Sequence, residues 1–171
     1  ATGGGDGGIL LHGDPHVLWR LAPGDREEHG QRVHINAAGF RDRERGPAEG
    51  PRLLALGDSS VYGFGVSDAA VFTARLEGML DGVGVINGGV PGYSTEQALN
   101  RLSREGLAME PDVLLVATLW SDNNFDQFVD AERLGAYRAW RSQPGARVAA
   151  LLRATATGHL LSMALGEGAG G

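Results

Sequence analysis

The sequence predicts an α/β fold built on a parallel sheet, and three observations carry that expectation. Apolar runs recur at LLAL (53–56), VGVI (83–86) and VLLVATL (113–119), each bounded by Gly, Pro or Asp. The segments between them have helical spacing, so strands and helices alternate. Runs without polar alternation suit strands buried on both faces, and parallel strands need crossover connections that lay helices over those faces.

In chain order, residues 1–51 read as an irregular N-terminal apron that starts with a mobile glycine-rich tail, ATGGGDGG. Arg20 to Pro51 is dense in charge, Gly and Pro, with one alternating piece, RVHIN at Arg32 to Asn36, that suits a half-buried strand. The core is expected over residues 52–165. After the first apolar run, Phe72, Leu76, Met79 and Leu80 recur at spacings of three and four, which predicts a helix that stops near Gly82. After the second, Ser94 and Gln97 form a capping-box pair ahead of Ala98, Leu99 and Leu102, with Gly106 at the helix end. Residues 166–171, GEGAGG, form a second mobile tail.

Composition narrows the function classes. A chain of 171 residues, 42% hydrophobic, can bury one sizeable core and leaves no room for two domains. Its formal net charge of −6 offers no basic footprint, so nucleic acid is not an expected partner. The absence of Cys excludes disulfides, thiolate metal sites and cysteine nucleophiles, and leaves the compartment open. No apolar run approaches the roughly 20 residues of a membrane span, and the first residues lack the charged and apolar regions of a signal peptide. The expectation is a soluble chain of unassigned location.

In an open parallel sheet, ligands sit beyond the carboxyl ends of the strands, so the residues after the three runs should converge. They are Gly57-Asp58-Ser59-Ser60, Asn87-Gly88-Gly89-Val90-Pro91-Gly92 and Trp120-Ser121-Asp122-Asn123-Asn124. A strand-to-helix turn at Ser59 would present its hydroxyl as an acyl-transfer nucleophile. Gly89 lacks a Cβ, so its N–H can approach a bound carbonyl, and an Asn side chain offers NH₂ donors to the same oxygen. Asp58 reads as structural, a holder of backbone N–H groups. The alternating cluster Arg41, Asp42, Arg43, Glu44, Arg45 reads as a solvated, self-paired surface.

LALGDSSVYGFGV resembles the first block of the SGNH, or GDSL-type, serine esterases and lipases, INGGVPGYST resembles their second block, and TLWSDNNFD their third. The segment HINAAGFRDRE, His34 to Glu44, is similar to the piece that precedes the core in many bacterial members, and the match runs from about Trp19 to about Asp126. The resemblance implies a three-layer α/β/α flavodoxin-like sandwich with strand order 2-1-3-4-5. It also implies Ser59 as nucleophile, the N–H groups of Ser59 and Gly89 as oxyanion donors, and Asn123 as side-chain donor. It implies hydrolysis of a small acyl ester, on an O-acetylated carbohydrate or a lipid, with no metal and no cofactor.

Two departures accompany the match. Ser121 stands where the family has Gly, and the doublet Asn123-Asn124 where Asn-Asp is usual, so a register shift would make Asn124 the donor. The family's fourth signature, an Asp-x-x-His that supplies the base, is missing: the only histidine after Asn123 is His159, and Ala156 stands three residues before it. His159 reads as a helix-face residue, and Asp14 and His16 as residues without a base role. The expectation is a chain truncated before its catalytic Asp and His, whose last strand ends as an uncovered apolar edge prone to self-association. Rival readings are a noncatalytic binding or scaffold module and, more weakly, a flavodoxin-like phosphate binder, which the absence of a Gly-x-x-x-x-Gly-Lys pattern disfavours.

Overall fold

The computed structural model describes residues 9–122, 130–143 and Gly145. Two antiparallel hairpins come first: β1 (Leu10–Asp14) with β2 (Leu18–Leu21), and β3 (Gly24–Glu28) with β4 (Gln31–Ile35). A three-stranded parallel sheet follows, made of β5 (Arg52–Gly57), β6 (Gly84–Gly89) and β7 (Val113–Ala117) in the order β6-β5-β7. Its helices are α1 (Ser59–Tyr62), α2 (Phe72–Met79) and α3 (Thr95–Arg101), and two more, α4 (Leu119–Asp122) and α5 (Asp130–Arg141), follow β7. The α/β class and the parallel sheet are thus present, with all three expected strands on the expected runs.

The register is in step across the sheet. Gly57 faces Gly89 on one side and Ala117 on the other, so the three strands end at one level. From β5 the chain goes outward to β6, then crosses back past β5 to β7. That reversal makes the carboxyl end of β5 a topological switch point, where a crevice opens.

The helix signals worked unevenly. Ser94 caps α3 with the full reciprocal box: its hydroxyl accepts from the Gln97 amide, and the Gln97 side chain accepts from the Ser94 amide. Beyond Arg101 the helix widens into a π-type turn at Leu102–Gly106 before one 3₁₀ turn at Leu107–Met109. α2 ends where expected, with Gly82 at φ +71°, yet Met79 is 81% exposed and Phe72 and Leu80 also face solvent. Its attachment to β6 is polar: Asn87 Nδ2 donates to Thr73 Oγ1 at 3.2 Å, and the Val85 amide donates to Glu77 Oε2 at 2.7 Å.

The N-terminal part is not the irregular apron that its composition suggests. Its hairpins supply Val17, Leu21, Val33 and Ile35 to a core they share with Tyr62, Val90 and Tyr93 of the sheet unit. A second core gathers Phe40 with Leu54, Leu56, Ile86 and Ala98. The charge cluster is solvated only in part: Arg43 and Glu44 are exposed and Arg45 pairs with Asp42 inside the cluster, but the side chains of Arg41 and Arg45 are buried. The Arg41 side chain is 1% exposed, pairs with Asp68 at 3.0 Å and donates to the carbonyls of Tyr62, Gly63 and Val66. Arg45 is similarly buried against Asp42 and Glu77. Such groups stay charged inside because carboxylates and backbone carbonyls receive their N–H groups.

Candidate active site

The site begins at the carboxyl end of β5. Asp58 closes the strand as the N-cap of α1, with its side chain 2.8 Å from the Ser60 amide and 2.7 Å from the Ser60 hydroxyl. Its other oxygen takes the amide and the hydroxyl of Ser121, each at 3.2 Å. Asp58 is 1% exposed, and this one carboxylate fastens the first turn to the third. It holds backbone N–H groups, as its position in the sequence suggests.

Two other side chains complete the lashing. Asn87, buried, donates to the Val61 carbonyl at 2.9 Å and so ties β6 to α1. Asp122 accepts from the Thr95 amide at 2.9 Å, from the Thr95 hydroxyl and from the Thr118 hydroxyl at 2.9 Å, joining the third turn to the start of α3. Partial burial pushes its carboxyl upward, but the hydrogen bonds from Thr95 and Thr118 outweigh that, and it is held below the usual aspartate value. The three turns that lie far apart in sequence therefore form one rim.

On that rim Ser59 differs from its neighbours. The hydroxyls of Ser60 and Ser121 are both engaged by Asp58, whereas that of Ser59, half-buried, makes no hydrogen bond among the described residues. Its amide is likewise without a partner there. So the helix cap at this turn is Asp58, and Ser59 is left with no capping duty.

Gly89 requires a correction. Its amide donates to Asn87 Oδ1 at 3.0 Å in a buried position, so it is not open to a substrate oxygen. The missing Cβ has another reason: an added one would stand 2.2 Å from the Tyr62 amide nitrogen, because β6 ends tightly against α1. Three residues on, Gly92 is exposed, adopts φ +78° and has an amide with no partner among the described residues. The sequence signal for it is the Pro-Gly pair, which marks a turn whose glycine takes a positive φ. Asn123 and Asn124 lie outside the described residues, as does His159.

The hairpins reach this rim as well. The Trp19 indole donates to the Pro91 carbonyl at 3.0 Å, the Tyr93 hydroxyl donates to the Trp19 carbonyl at 2.6 Å, and Gln97 donates to the Val17 carbonyl at 2.7 Å. Burial pushes the Tyr93 phenol well up, which keeps it protonated and a donor. Among the described histidines, none hydrogen-bonds Ser59; His34 pairs with Asp25 at 2.6 Å on the outer hairpin. Asp14 is engaged by the amides of His16 and Val17, a turn-forming role. No helix among the described residues is long and apolar enough to cross a membrane. Compared with protein-family models and with curated proteins, the chain matches none of them.

Proposed function

We propose that this chain carries the nucleophile and part of the oxyanion pocket of a serine-dependent carboxylic-ester hydrolase of the SGNH type, built on a flavodoxin-like sandwich. One observation carries the reading: at the switch point of the sheet, of three serines on one rim, Ser59 alone keeps an unengaged hydroxyl. Its Oγ attacks the acyl carbonyl and forms the acyl-enzyme, and the alcohol departs; water then releases the acid. The oxyanion that develops is received by the amides of Ser59 and Gly92, neither of which has a partner among the described residues, with the side chain of Asn123 as third donor. Gly92 replaces Gly89 in this scheme because the Gly89 amide is already engaged.

A base must take the serine proton; none of the described histidines hydrogen-bonds Ser59, and in this reading a histidine other than those and His159 takes it. The substrate is a small acyl ester, short in its acyl chain, on a carbohydrate or lipid alcohol. Turnover of p-nitrophenyl acetate by the protein as its gene encodes it tests the reading. Ser59→Ala is expected to abolish hydrolysis while Ser60→Ala keeps at least a tenth of it. Equal rates for Ser59→Ala and parent would return Ser59 to the status of a turn residue and favour the scaffold reading.

A further inference from the structure

We infer that Trp19, on the N-terminal hairpin, is a positioning residue for the oxyanion pocket: its indole fixes the direction in which the Gly92 amide points. The inference rests on the esterase reading and adds to it a residue from 73 positions upstream of Gly92. It starts from the geometry of one peptide group.

The Pro91 carbonyl and the Gly92 N–H belong to the same planar unit, and in a trans peptide the two point in opposite directions. No peptide bond in the described chain is cis. Whatever holds the carbonyl therefore aims the N–H. The holder is Trp19 Nε1, 3.0 Å from the Pro91 oxygen.

The peptide needs such a holder. Gly92 sits at φ +78°, a region glycine enters and leaves readily, and its own N–H has no partner among the described residues to anchor it. An unanchored Pro-Gly peptide can rotate and turn its N–H away. Trp19 blocks that motion at three points. Its indole grips the carbonyl before Gly92, its own carbonyl receives the hydroxyl of Tyr93 just after Gly92 at 2.6 Å, and its ring stands 3.3 Å from where a Cβ on Gly92 would lie. The Trp19 and Tyr93 rings meet edge to face with centroids 6.0 Å apart.

A second effect acts along the same bond. Donation to a peptide carbonyl polarises the whole amide and strengthens its N–H as a donor. The hairpin thus orients and sharpens a donor that matters when the substrate oxygen becomes negative. The consequence belongs to the transition state more than to substrate binding.

The test compares kcat and KM for p-nitrophenyl acetate in the protein as its gene encodes it, with three variants beside the parent. Trp19→Phe keeps an aromatic ring but removes the indole N–H. It is expected to lower kcat by about tenfold, less than the 10²–10³ lost with a whole donor, and to leave KM within about twofold. Tyr93→Phe leaves the indole bond in place and is expected to keep kcat within about threefold, with its clamp loosened at one end only. Ser59→Ala separates the two claims: if it retains the parent rate, the esterase reading fails and this inference with it. If Ser59→Ala is dead while Trp19→Phe has the parent kcat, the positioning role alone is overturned. Equal losses in Trp19→Phe and Tyr93→Phe would also overturn it, because general loosening of the hairpin would then explain both. Should Trp19→Phe fail to fold, the amide of Gly92 decides by nuclear magnetic resonance in the parent. A rigid backbone order parameter and a shift typical of a peptide whose carbonyl is hydrogen-bonded support the clamp, and a mobile Pro91-Gly92 peptide rules it out.

Discussion

Asp58 holds four donors on two turns with one buried carboxylate, and its removal should be felt across the rim. Asp58→Ala leaves the amides and hydroxyls of Ser60 and Ser121 without their acceptor. Hydrogen bonds to a buried charge are worth about 1.5–3 kcal/mol, so a loss of roughly 3 kcal/mol is expected. Thermal unfolding should fall by roughly 6–12 °C for a chain of this size, and a shift under 2 °C would mean that the turns hold without it. Asp122 gives the pH dependence. Its folded pKa lies below its unfolded one, so its contribution is complete above the unfolded aspartate value of about 4 and fades as pH falls through the depressed folded value. Asp122→Asn should flatten the acid limb of the stability profile in that window, as urea titrations at stepped pH would show. At this scale the Gly-Asp-Ser turn at the end of β5 and the structural duty of Asp58 were legible because such a turn after an apolar run has few uses. Gly89 was not, since a sequence does not say which amide is already engaged inside the fold. Arg41 and Arg45 were misleading for a related reason: Asp68 and Glu77, carboxylates that pair with them, stand 27 and 32 residues away.

Among the elements, β7 is the one whose surroundings matter most. It pairs with β5, and no other strand pairs with it among the described residues. Val113, Leu114 and Val116 are each more than 40% exposed, and Leu119 just beyond is 73% exposed. Exposed apolar edge strands template association. The 171-residue chain is therefore expected to dimerise or aggregate in light-scattering chromatography, and Val116→Lys to shift it toward monomer. Monomeric behaviour of the parent across the accessible concentration range would contradict this. The strands and the start of α3 were legible because their signals are local, apolar runs and a Ser-x-x-Gln box; the end of that helix was not, because the chain stays helical through Gly106 to Met109. The hairpins were not, because β1, β2 and β3 carry too little alternation to stand out from a charged, glycine-rich stretch. They are organised by the core they share with Tyr62, Val90 and Tyr93. The exposed apolar face of α2 shows the same limit, since its spacing marks a helix without saying what lies opposite.

In the whole molecule three turns are tied into one rim, and the N-terminal hairpin bonds to it through Trp19; the proposed hydrolysis needs a base in addition. Removal of a triad member leaves a rate only about 10³–10⁴ above water, so the 171-residue chain by itself is expected to show at most trace hydrolysis of p-nitrophenyl acetate. His159→Ala should leave that trace unchanged. Robust turnover that vanishes in His159→Ala would place the base within this sequence. Covalent capture tests whether Ser59 is a nucleophile. The protein as its gene encodes it is treated with a fluorophosphonate, which transfers its phosphonyl group to an activated serine with loss of fluoride, and the modified peptide is sequenced by mass spectrometry. One adduct is expected, on Ser59, absent from Ser59→Ala and present in Ser60→Ala. An adduct on another serine, or none under conditions that fully label a known serine esterase, would contradict it.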